Sequence, residues 1–204
     1  MDSIIYYVPY ISLLPFLVGA FLFKELSALQ RKVFLLVILT IGVELLATYL
    51  RKFGNNMPAF HLSTWIEALL VVLIFDGILN GFRKRIIRYG ALLFILFSLY
   101  SIFFLEGILE FNTSQKYVAN IFIILICLFF FTQLMIEAKV TNPWKESSFV
   151  LASVMLFYYA GTLFIFILGS EINTERLPFW FFQSILFIIL TFGYTIVLWM
   201  KAQK

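Results

Sequence analysis

Long apolar runs, each near the length of a bilayer crossing and each closed by a short break of charges and turn residues, dominate this chain of 204 residues. A helix needs about 20 mainly apolar residues to cross the hydrocarbon core of a bilayer. Seven segments meet or approach that length: 4–23, 33–50, 61–79, 86–105, 117–137, 147–169 and 179–200. The breaks are 24–32, 51–60 (with Gly54, Asn55, Asn56 and Pro58), 80–85, 106–116, 138–146 and 170–178. Breaks this short force neighbouring helices to run antiparallel and leave no room for a soluble domain. The expectation is an all-α, polytopic fold: residues 1–204 as a single domain of seven transmembrane helices.

Composition points the same way. The chain is 63% hydrophobic and 13% charged, with mean hydropathy +1.01. Soluble domains are nearer ~45–50% apolar and ~25% charged, so this chain has too little polar surface to cover itself in water and its solvent is lipid. Its start, Met1-Asp2-Ser3, has no basic stretch, and the apolar run that follows is too long for a signal peptide. The first helix is expected to be retained. The single cysteine, Cys127, allows no intrachain disulfide and no cysteine-based metal or redox motif.

The net charge of +4 reads as a topology signal rather than a nucleic-acid surface. With the N-terminus outside, eleven Lys and Arg fall on the cytoplasmic side. Four fall outside: Arg51, Lys52, Lys116 and Arg176. That bias predicts N-out, C-in. Trp144, Trp180 and Trp199 stand at span ends, where interfacial anchors belong.

Two glutamates interrupt the apolar pattern. Glu44 lies six residues before the outer end of the second span, and Glu67 six after the outer start of the third. Both depths are about 9 Å. An ionisable group inside a span is costly and usually faces a partner or a cavity. Thr48 and Arg51 share a stripe with Glu44, while Ser63 and Thr64 share a face with Glu67. His61 is expected at the mouth, about 120° around the helix from Glu67. Tyr7, Tyr10, Asn120 and Gln183 add polar groups to the same outer half; the inner half is sparser, with Gln133, Asp76 near the cytoplasmic end and Tyr194. The expected ligand-binding set is therefore Glu44, Thr48, Arg51, His61, Thr64, Glu67, Asn120 and Gln183, in one outward-facing site.

Plainer readings stand beside this one. Glu44 pairs with Arg51, or sits uncharged in a helix contact. His61 caps a helix or bonds a loop. Asp76 meets Arg83 or Lys84 near the cytoplasmic interface. Arg83-Lys84-Arg85 and Arg88 fix topology and can touch anionic lipid. Pro15 is a tolerated kink, or a hinge or local opening for a ligand.

Several function classes fit poorly. A metal site could draw only on His61, Glu44 and Glu67, which do not converge well, and zinc-dependent seven-helix hydrolases need several histidines. No metal or other cofactor is expected. The last span has no lysine for a retinal Schiff base. A small sugar-type carrier would show a Pro-Gln signature and counterparts of the glutamates in the later helices; neither is present. The stretch Asn55-Asn56, His61 and Glu67 resembles an Asn-rich loop leading into a His-x5-Glu helix in small seven-helix membrane proteins of Bacteroidota, a group with no established activity. The resemblance implies a protein of the bacterial inner membrane and, by analogy, a sensory or accessory role. The expected function is receptor-like or sensory, with a small polar or cationic ligand, or protons, at the outer site. Output would need a membrane or cytoplasmic protein partner. The alternatives are a membrane subunit of a larger complex, a small proton-coupled carrier, and an intramembrane enzyme using a Glu pair on lipid.

Overall fold

The computed structural model describes residues 10–137, 142–171 and 177–201, and the regular elements among them are all helical. Helix α1 covers Leu13–Phe21, α2 Ala28–Arg51, α3 Met57–Asp76 and α4 Gly81–Tyr100. Helix α4 runs on as a π-helical turn over Ser101–Leu105. Then come α5 (Thr113–Glu137), a 3-10 turn (Pro143–Lys145), α6 (Ser147–Glu171) and α7 (Leu177–Trp199). Six of these, α2 to α7, are long and apolar enough to cross a membrane. The first expected span is described only from Tyr10, and a turn at Ser12 precedes α1. Its earlier part, Tyr7 included, lies outside the described residues.

Helices α2 to α5 start four or five residues earlier than hydropathy predicts, because polar residues can begin a helix, and α2 shows how. Ser27 and Gln30 form a capping box: the Gln30 N–H donates to Ser27 Oγ (3.3 Å), and the Ser27 N–H donates to Gln30 Oε1 (2.9 Å). Pro58 occupies the first turn of α3, where its missing N–H costs nothing. The connection expected over 51–60 therefore shrinks to 52–56, with Gly54 at φ +96° making its turn. The one expected over 106–116 shrinks to 106–112, which puts Lys116 inside α5.

Helix α3 is the central element and packs against α2, α4 and α5. Helix α1 closes the bundle against α2 and α7, and the α6–α7 pair is the most extensive contact. Close approach there depends on small residues. A Cβ on Gly193 would lie 2.6 Å from Val154, and one on Gly161 2.8 Å from Leu186. The buried core runs through Val33, Val71, Ile74, Phe75, Ile123, Ile126, Leu151 and Met155. Large apolar side chains face outwards along the spans, among them Leu92, Leu93 and Leu96 on α4 and Phe192 and Ile196 on α7. Trp144 and Trp199 are exposed, at the end of the bundle where interfacial anchoring was expected; the Trp180 side chain lies outside the described set.

Polar bonds tie off both ends. At one, Gln30 Nε2 donates to Val197 O (2.7 Å) and Met200 O (2.6 Å), so one side chain serves the start of α2 and the finish of α7. Gln133 accepts from the Asn80 N–H (3.0 Å) and donates to Ile78 O (3.3 Å). Asp76 pairs with Arg88, through Nη2 at 3.0 Å, and with Lys84 at 3.4 Å. The expected partner Arg83 is not used; Arg88 lies on the face of α4 that turns back to α3. At the other end His61, Asn112 and Glu106 fasten the α4–α5 connection.

Candidate functional site

Glu67 is the eleventh residue of α3, about 15 Å along it. Its carboxylate is held from two sides. Lys116 Nζ donates to Oε2 at 2.6 Å, and the Tyr159 hydroxyl donates to Oε1 at 2.7 Å. Three helices, α3, α5 and α6, thus meet at one carboxylate. The Glu67 and Lys116 side chains are each 19% exposed, so water screens the pair little. Tyr159 is fully buried, and its ring lies edge-on to Tyr158 at 5.0 Å. The Tyr158 hydroxyl accepts from Gln183 Nε2 at 3.2 Å, bringing in α7.

Beside Glu67 is a cavity of about 40 Å³ near the middle of the bundle. Its lining comes from α1 (Pro15, with Ser12 just before it), α2 (Leu36, Val37, Thr40), Glu67, Tyr158 and α7 (Phe187, Leu190, Thr191, Tyr194). Tyr194, expected in the sparse inner half, is one of its walls.

The other expected site residues fall into different places. Glu44 does not meet Glu67. Helix α2 turns Val43 and Ala47 inwards onto Ala59, with Leu50 and Ile66 packed alongside. Glu44, 100° from Val43, is left exposed on the bundle surface with Thr48 and Arg51. Thr48 spends its hydroxyl on Glu44 O (2.9 Å). The two glutamates match in sequence depth but not in helical phase.

His61 is not at a mouth. It is 3% exposed, and both ring nitrogens are engaged: Nδ1 with Gln115 Oε1 (3.0 Å) and Nε2 with Glu110 O (3.1 Å). Gln115 passes the chain on to Ser98 O (3.2 Å). Thr64 accepts from Asn112 Nδ2 (2.7 Å) and donates to Phe60 O (3.1 Å). These residues fasten the connection between α4 and α5 to the start of α3. They form a structural lock beside the Glu67 cluster.

Asn120 stands one turn from Lys116 on the same face of α5. It is fully buried, and neither amide atom has a partner among the described residues. Trp65 Nε1, Ser98 Oγ and Gln183 Oε1 are also buried without a partner there. All belong to the half of the bundle that carries His61. The buried glutamines of the opposite end, Gln30 and Gln133, are bonded. A buried polar group costs free energy until it is paired, and among the described residues that cost is concentrated in the half of the bundle that carries His61.

Sequence reasoning missed Lys116, Tyr158 and Tyr159. The signals were there: Lys116 is four residues before Asn120, and two adjacent tyrosines interrupt an apolar run. Among the described residues no group of three His, Cys, Asp or Glu comes together that could hold a metal ion. No family model, no curated protein and no solved structure matches this chain.

Proposed function

We propose that this chain is a seven-helix protein of the bacterial inner membrane, N-out and C-in, that binds a small polar or cationic ligand from the outside in a receptor-like or sensory role. The carrying observation is Glu67, a carboxylate in mid-span held by Lys116 and Tyr159, beside a cavity and on the side of the bundle where buried polar atoms lack partners. A conduction path would need comparable groups at the other end, where the buried glutamines are bonded to backbone. Short connections leave little machinery for signalling, so output passes to a partner protein. The test is thermal unfolding in detergent across a panel of small amines, amino acids and polyols. At least one should raise the midpoint of the wild type, and the shift should vanish in Glu67→Gln and persist in Glu44→Gln. Equal shifts in all three proteins would remove Glu67 from binding.

A second reading rests on Glu44. Its carboxylate has no hydrogen bond or ion pair among the described residues and lies on an exposed helix face. A membrane subunit that pairs this face with a partner helix accounts for it. Glu44→Gln would then release a defined partner on a native gel, whereas a pure receptor would migrate unchanged.

A further inference from the structure

We infer that the recess between the α1–α2 connection and the end of α7 binds the headgroup of an anionic phospholipid. It lies at the end of the bundle opposite His61 and is independent of the ligand proposed for Glu67. Shape, charge and position each support it.

The recess measures about 680 Å³, within the size range of small-molecule sites. Leu22, Leu26, Leu198 and Met200 give it an apolar wall, and Lys24, Glu25 and Lys201 a charged one. Gln30 also lines it, but its amide is already spent on Val197 O, Met200 O and the Ser27 N–H. The charged residues are therefore what the recess offers a polar ligand.

Those charges favour an anion. Lys24 and Lys201 are exposed, and neither ammonium has a hydrogen bond or ion pair among the described residues. Arg31 stands beside them, its Nε donating to Leu26 O at 3.1 Å. Against these three positive charges Glu25 sets one negative. A lipid phosphodiester meets that excess, and the Glu25 carboxylate is left to accept from a headgroup hydroxyl such as the glycerol of phosphatidylglycerol. A choline headgroup brings a cation of its own that has no proton to donate to Glu25.

The position is that of a headgroup. Trp199, 67% exposed, also lines the recess, and tryptophans collect at headgroup level. Basic pockets between membrane helices at their cytoplasmic ends are recurrent sites for anionic headgroups. The basic corner of α4 is less available, because Asp76 already holds Lys84 and Arg88.

The test is thermal unfolding of the full-length protein in dodecyl maltoside, titrated with phosphatidylglycerol. Phosphatidylcholine, phosphatidylethanolamine and lipid-free sodium phosphate are separate arms. Saturating phosphatidylglycerol should raise the midpoint by about 5 °C, and the other three should not. Lys24→Gln and Lys201→Gln should each raise the half-saturating mole fraction about fivefold, the factor that corresponds to about 1 kcal/mol per basic residue. Arg85→Gln removes an exposed charge from the same end of the bundle but outside the recess, and should leave half-saturation unchanged. Equal shifts with a neutral lipid overturn the inference, as do lysine variants with wild-type half-saturation. A loss in Arg85→Gln as large as in Lys24→Gln would replace the site by diffuse surface attraction. A lysine-dependent response to sodium phosphate alone would make the recess a free-anion site and overturn the lipid assignment.

Discussion

Lys116 and Glu67 neutralise each other inside a bundle whose exterior is apolar, and removing either one strands the other. Breaking a buried pair costs about 3–5 kcal/mol, while replacing both partners by neutral groups costs much less. Lys116→Met is therefore expected to lower the unfolding free energy in mixed micelles by about 3 kcal/mol. Tyr159→Phe, which deletes one bond to a charged oxygen, should cost about 1.5–3 kcal/mol. The double variant Lys116→Met/Glu67→Gln should recover more than half of the Lys116→Met loss; a double as unstable as the single would show that the pair is not the source. Glu67 was legible in the sequence because a carboxylate in an apolar run is expensive. Its partner was not, because Lys116 sat in an expected loop and counted as an outer charge. A lysine stem can lie along apolar surface and carry its ammonium far from its own Cα. The supposed pairing of Glu44 with Glu67 failed for a different reason. Depth follows from residue number, but facing depends on which side of α2 packs, and that is set by Val43 and Ala47 meeting Ala59.

At the level of elements, six of the seven expected spans were readable and their ends were not. Hydropathy places the middle of each helix well, since lipid-length apolar runs have few alternatives. It misses caps, whose residues are polar: Ser27 to Gln30 extends α2, and Pro58 moves α3 four residues earlier than its apolar run. The S-x-x-Q pattern of a capping box was present but hidden among loop residues. The Gln30 side chain accepts from the Ser27 N–H and donates to Val197 O and Met200 O, so Gln30→Ala should cost about 2–3 kcal/mol at roughly 1 kcal/mol per lost bond, and should fray the end of α7. Loss of amide protection at 197–200 by hydrogen exchange, with α4 unchanged, is the expected signature. The lock at the other end behaves separately. His61→Phe removes the tether to Glu110 O and Gln115, so limited proteolysis should cut within 106–112 faster than in the wild type. Gln30→Ala should leave that rate alone. Equal cleavage in the two variants would mean that general loosening, and not His61, governs the connection.

For the whole molecule, the decisive property is which end faces out, because the unpartnered polar atoms and the Glu67 cluster lie towards one of them. The end with His61 and the connections 52–56 and 106–112 carries Glu106 and Glu110 and few basic residues. The opposite end carries Lys24, Arg31, Lys32 and the run Arg83-Lys84-Arg85 with Arg88. Cytoplasmic loops hold the excess of Lys and Arg in most membrane proteins, so the His61 end is expected outside. Labelling can check this cleanly, since Cys127 is the lone cysteine and is fully buried. In a Cys127→Ala background, Phe53→Cys and Trp144→Cys each place one thiol at an exposed position on opposite ends. A membrane-impermeant maleimide added to intact cells with a permeabilised outer membrane should modify Phe53→Cys and spare Trp144→Cys. Inverted vesicles should reverse the pattern. The opposite result would turn the Glu67 cavity towards the cytoplasm, and an external ligand would lose its route.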